Sequence, residues 1–174
     1  MTPLDLLVDG FNRIPRIIER ALHGLDRDRL AAAPWPHSNS LAWLAWHTAR
    51  GQDSWVADLE GRDDAWTSEG WFEAFALPLD PIEIGFAMAD DKARLVVATG
   101  ELLGQYLNAV TAHTIGYLTG MALTDLDEIV DAERTVPVTR GIQLLSILDD
   151  NLQHAGQAAY VRGVLDRGGS TVVS

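Results

Sequence analysis

The sequence predicts an all-α protein, a four-helix bundle, from three observations. Apolar residues recur every three or four positions through four long segments. Good cap residues stand where the first two of those segments begin. No run alternates strongly enough between apolar and polar residues to read as a sheet, and no internal repeat is present. Long amphipathic helices bury their stripes against one another, and facing helices of such a bundle can build a site in its core.

The first helix is expected over about residues 2–22. Thr2 suits the N-cap and Pro3 the first helical position, where a missing N–H costs nothing. Leu4, Leu7, Phe11, Ile14, Ile18 and Ala21 mark its buried stripe. Pro15 falls inside the pattern, removes one backbone bond and predicts a kink. A proline-rich loop, 33–37, follows. The second helix opens at Asn39 or Ser40 and runs to about residue 60, with Leu44, His47, Gly51, Trp55 and Leu59 on one face.

Residues 61–80 carry Gly and Asp turn signals, with a short helix around 69–75. The third long helix is expected to begin between 81 and 90 and to end near 121. Val96, Leu103, Val110 and Tyr117 repeat every seven residues, as do Thr99, Tyr106, His113 and Gly120. A connector, 124–139, is acidic and then holds Thr135-Val136-Pro137-Val138, a short extended piece. The fourth helix spans about 140–166. One domain, 1–168, is expected, with a frayed tail over 169–174.

Composition excludes several classes. At 174 residues, 47% apolar and 22% charged, the chain can bury a sizeable core. A net charge of −12 argues against nucleic acid, which needs a concentrated basic surface. No segment approaches the roughly 20 apolar residues of a membrane helix. The N-terminus lacks the basic start and apolar core of a signal peptide, so a cytoplasmic location is expected. A homodimer is left open. With no cysteine, the chain has no disulfide, thiolate ligand or nucleophilic sulfur, so any thiol chemistry needs a thiol supplied by the substrate.

The strongest chemical signal is a polar pair on an apolar strip. Ile147, Asp150, His154, Ala158 and Val161 step by three or four residues and share one helix face. An acid and an imidazole buried there need a partner. Asp and His at i, i+4 can both reach one divalent ion, or they can form a hydrogen-bonded pair that orients the helix. His47, on a buried-looking strip of the second helix, could close the site. Gly51, one turn on, leaves space beside a metal or accommodates packing.

The remaining candidates carry two readings each. Arg50 could hold an anionic group near the metal as a catalytic residue, or pair with Asp53. His113 could be a ligand, a substrate contact or a core histidine with a satisfied ring. Trp43 and Trp55 read as core. Trp46, and Trp66 or Trp71, could wall an apolar substrate cleft. His37 reads as solvated, and His23, before Gly24 at a helix end, suits the helix dipole as an imidazolium, so neither is a ligand candidate. No G-x-S-x-G elbow, phosphate loop or H-E-x-x-H is present.

Two stretches, NSLAWLAWHTARGQD at 39–53 and DNLQHAGQAAYVRG at 150–163, resemble the DinB/YfiT-like superfamily of metalloenzymes. Glu69-Gly70-Trp71-Phe72 and Pro137-Val138-Thr139-Arg140-Gly141 resemble its actinobacterial branch. The resemblance covers about residues 2–166. It implies a four-helix bundle with a metal held by His47 and by the pair at 150 and 154. The common pattern has His where this chain has Asp150, and the related mycothiol-dependent maleylpyruvate isomerase is similar in using a carboxylate there. The resemblance further implies a divalent metal, with zinc leading and nickel or iron as alternatives. It also implies transfer of a low-molecular-weight thiol, mycothiol foremost, to an electrophile, with Arg50 or Arg162 binding a carboxylate or sugar-linked group. A metal-dependent hydrolase and a non-catalytic metal- or ligand-binding bundle are the rival readings.

Overall fold

The computed structural model describes residues 1–168; the expected tail, 169–174, lies outside them. Helix α1 (Pro3–Leu22) starts as its cap dictates. The Thr2 hydroxyl accepts from the Asp5 amide and the Asp5 carboxylate accepts from the Thr2 amide. That reciprocal pair satisfies donors that a helix start leaves over. Leu7, Phe11, Ile14, Ile18 and Ala21 are buried, and Leu4 is half-buried. The helix runs on through Pro15, itself buried, so the lost backbone bond does not divide it.

A short helix, α2 (Arg27–Ala31), precedes the proline-rich loop. Helix α3 (Leu41–Glu60) begins at Ser40, whose hydroxyl accepts from the Trp43 amide, and ends at a left-handed Gly61. Every residue from Leu41 to Asp53 is buried, which places this half of α3 at the centre of the molecule. Beyond Asp53 the helix becomes amphipathic. Trp55, expected in the core, stands 45% exposed.

The chain then makes α4 (Ala65–Ser68), α5 (Trp71–Phe75) and α6 (Asp90–Ala93). The third long helix, α7 (Gly100–Gly120), starts later than its heptad pattern suggests. Thr99 is its N-cap, accepting from the Leu102 amide. Residues 96–98 are not helical: Val96 and Ala98 are buried and Val97 is half-buried, the alternation of an extended chain. The seven-residue spacing ran an extended segment and a cap into a true helix.

A 3-10 turn (Leu123–Asp127) leads to β1 (Ile129–Asp131), which pairs antiparallel with β2 (Val138–Thr139). This small irregular sheet corrects the expectation of none. Helix α8 (Arg140–Asp166) follows directly, its Thr139 cap accepting from the Ile142 amide.

Helices α1, α3, α7 and α8 form the bundle, with α1 and α3 each packed against both α7 and α8. Phe11, Ile14, Leu44, Leu103, Leu107 and Leu144 lie at its centre. A buried polar chain fixes the alignment of three helices. Asn151 donates to Gln52 at 2.6 Å, Gln52 to the Thr114 hydroxyl at 2.8 Å, and that hydroxyl to the Val110 carbonyl at 3.0 Å. Every member is buried and paired, so the chain specifies one register of α3 against α7 and α8.

Candidate metal centre

The α3–α8 contact brings His47 beside Asp150 and His154, residues far apart in sequence. One ligand atom of each lies within 4.8 Å of the others. The two imidazoles meet edge to face with centroids 4.6 Å apart. His47 Nε2 is 3.9 Å from Asp150 Oδ2, and His154 Nε2 is 3.5 Å from Asp150 Oδ1. One premise of the sequence reading is corrected. The His47 and His154 side chains are 9% and 15% exposed, but that of Asp150 is 54% exposed. The helix is turned so that the neighbouring Asn151 takes the buried position, and the triad is open to solvent on the Asp150 side.

Both rings are held by the nitrogen that faces away from Asp150. His47 Nδ1–H donates to the Ile84 carbonyl at 2.5 Å, and His154 Nδ1–H to Gln157 Oε1 at 3.0 Å. Each bond places the proton on Nδ1 and leaves Nε2 with a free lone pair. Trp43, one turn before His47, stacks on its ring at 4.5 Å and meets His154 edge-on. The tryptophan read as core is therefore also a wall of the site.

Electrostatics follow from these contacts. Burial pushes the His47 pKa down, against the Ile84 bond that raises it. Burial also pulls on His154, but once that ring is protonated its N–H bonds to Asp150 and Gln157 outweigh burial and leave its pKa raised. The bond donated by the protonated His154 ring holds the Asp150 carboxyl below its usual range.

The donor set fits a divalent metal. Two imidazoles with Nε2 free and one carboxylate match the ligands of zinc sites with open positions, whose bonds are about 2.0–2.2 Å, and suit nickel or iron as well. Gly51 fits too: it is buried, yet a Cβ there would meet nothing within 4 Å, leaving space one turn beyond His47.

The other candidate residues make their contacts elsewhere. Arg50 is 1% exposed, 3.2 Å from Asp64 and 3.8 Å from Asp53, and lies over the Trp66 ring. Its pairing with Asp53 is the structural alternative weighed above. Trp46 is buried against Trp66, and Trp71 packs on Tyr106. Arg162 donates to the Ala21 and His23 carbonyls at 3.0 and 2.6 Å and so closes the end of α1. His113 is half-exposed and pairs with Glu69 at 2.8 Å. His37 and His23 are exposed.

Sequence reasoning missed Asp53 as a structural centre. It is fully buried and accepts from the Ala65 amide at 3.0 Å, the Trp66 amide at 2.8 Å and the Tyr106 hydroxyl at 2.8 Å. It also missed Gln157, which a three-residue step from His154 could have signalled.

A sequence profile of the DinB superfamily matches residues 11–158. The chain belongs to the DinB superfamily. Its backbone is similar to a crystal structure of a conserved protein of locus from Enterococcus faecalis. That similarity has a TM-score of 0.90 and 34% identity, and covers 96% of this chain and 99% of that one. No curated protein matches. Among the described residues of this DinB-superfamily chain, no helix is long and apolar enough to cross a membrane.

Proposed function

We propose that this protein is a metal-dependent transferase that adds a low-molecular-weight thiol to an electrophilic substrate, with zinc at His47, Asp150 and His154 and mycothiol as the thiol. The observation that carries the reading is the pair of imidazoles pinned through Nδ1, with both Nε2 atoms turned toward one half-exposed carboxylate. When bound, the ion supplies Lewis acidity that lowers the pKa of a thiol beside it and keeps the sulfur as thiolate at neutral pH. The chain has no sulfur nucleophile of its own because it has no cysteine.

His47 and His154 hold fixed positions, and the indole of Trp43 covers the His47 ring and excludes water from that face. The exposed side of Asp150 leaves room for a thiol and an electrophile to enter. The choice of mycothiol rests on the resemblance of residues 39–53, 69–72, 137–141 and 150–163 to the actinobacterial branch.

The test is conjugation of a reactive electrophile with mycothiol, bacillithiol, glutathione or coenzyme A, with and without a chelator. The expected outcome is conjugation with mycothiol that chelation and His154→Ala both abolish. Turnover without any thiol, lost in the same variant, would favour a hydrolase. Activity indifferent to both chelator and His154→Ala would contradict metal catalysis.

A further inference from the structure

Residues 81–88 cross over the imidazole of His47. The Ile84 carbonyl accepts its Nδ1–H, and the next residue, Gly85, is buried with φ +94°. A Cβ at Gly85 would stand 2.6 Å from His47 Nδ1 and 3.2 Å from Trp43 Cζ2. Both neighbours are rings already stacked on each other, so neither yields as a flexible chain end would. The segment is fastened at both ends by residues of α3 that lie one turn either side of His47. Arg50 Nη2 donates to the Pro81 carbonyl at 3.4 Å, and Trp43 Nε1–H to Met88 Sδ at 3.5 Å. The turn within it closes through Met88 N–H to the Gly85 carbonyl at 3.2 Å, and Glu83 pairs with Lys92 at 2.5 Å.

We propose that residues 81–88 are a backbone strap that tunes the metal centre through His47, with Gly85 as its positioning residue. The missing side chain lets the strap lie close enough for the Ile84 carbonyl to hold the Nδ1 proton. That hold keeps Nε2 free and aimed at Asp150 and His154. Arg50 then acts on the site from a distance, as a fastener of the strap. The inference rests on the metal-site reading above for its affinity arm and stands apart from it for its tautomer arm.

The experiment compares wild type, Gly85→Ala and Gly70→Ala. Gly70 also has a positive φ, +79°, but a Cβ there would meet only Glu73 Oε2 at 4.0 Å, so it reproduces the backbone penalty without touching His47. Two quantities are measured: the ring-nitrogen NMR signals of His47 in metal-free protein, in buffer alkaline to the histidine range, and the affinity for zinc alone. In wild type, Nδ1 is protonated and Nε2 is not. In Gly85→Ala both tautomers appear and zinc binds about 10–100-fold more weakly, the loss typical when the group holding a ligating histidine is removed. Gly70→Ala keeps the wild-type tautomer and affinity.

An unchanged tautomer and affinity in Gly85→Ala would overturn the proposal, and so would an equal loss in Gly70→Ala. If Gly85→Ala does not fold, Met88→Ala, which frees one fastening, carries the test: a mixed tautomer with weaker zinc binding supports the strap, and wild-type values overturn it. If wild type binds no zinc, the metal-site reading falls while the tautomer comparison still decides the strap.

Discussion

In the proposed metal centre a proton and the ion compete for the His154 ring, and its surroundings set where that competition begins. Its pKa lies above that of an ordinary histidine, about 6.5, because the Asp150 and Gln157 bonds outweigh burial. The proposed site takes metal through the neutral ring, so zinc affinity is expected to be full above the raised value and to decline as pH falls through it. His47, with its pKa lowered by burial, adds a second proton only at more acidic pH. Affinity therefore falls about tenfold per pH unit at first and more steeply below. Gln157→Ala removes one of the raising bonds and shifts the onset to lower pH; zinc titrations at a series of pH values check this. Asp53 makes a different residue-scale prediction. Asp53→Ala strips a buried carboxylate from Arg50, two amides and the Tyr106 hydroxyl. It should cost about 3–5 kcal/mol in urea unfolding, whereas Ala at the exposed Asp58 should stay within about 0.5 kcal/mol.

At the scale of elements, the register of α3 against α8 decides whether the triad assembles, and the Asn151–Gln52–Thr114 chain fixes that register. Asn151→Ala leaves the Gln52 carbonyl oxygen buried without its donor. The expected loss is about 1–3 kcal/mol of stability, read from the midpoint of urea unfolding. How far these elements were legible depended on the kind of signal each carries. Helices α1 and α3 announced themselves because Thr2 and Ser40 are strong caps placed directly before periodic apolar residues, and α8 by its apolar period alone, its Thr139 cap showing only in the fold. The start of α7 did not, because Val96 and Thr99 happen to keep a seven-residue spacing although the chain there is extended. The β1–β2 pair was hidden because two- and three-residue strands are too short to show alternation. The triad was legible from the four-residue step and a distant histidine. The exposure of Asp150 was not, since periodicity gives the face of a helix but not how far it is turned from the core. A backbone acceptor such as the Ile84 carbonyl leaves no residue-type signature at all.

At the scale of the molecule, a DinB-superfamily bundle supplies what three scattered candidate ligands need. Two central helices are locked together by packing and by a buried polar chain, and a loop strap holds one imidazole from outside. A site assembled in this way exists only in the folded state, so metal binding and folding are linked. Zinc at a hundredfold excess over its dissociation constant should add about 2.7 kcal/mol of stability. That gain appears as a raised melting temperature, and Asp150→Ala should reduce it while the equivalent change at the exposed His37 should not. The most direct test of the metal centre is a calorimetric zinc titration of untagged, chelator-treated protein, wild type against His154→Ala. One tight ion per chain is expected in wild type and no site of comparable affinity in the variant. Equal stoichiometry and affinity in the two proteins would show that His47, Asp150 and His154 do not form the metal centre.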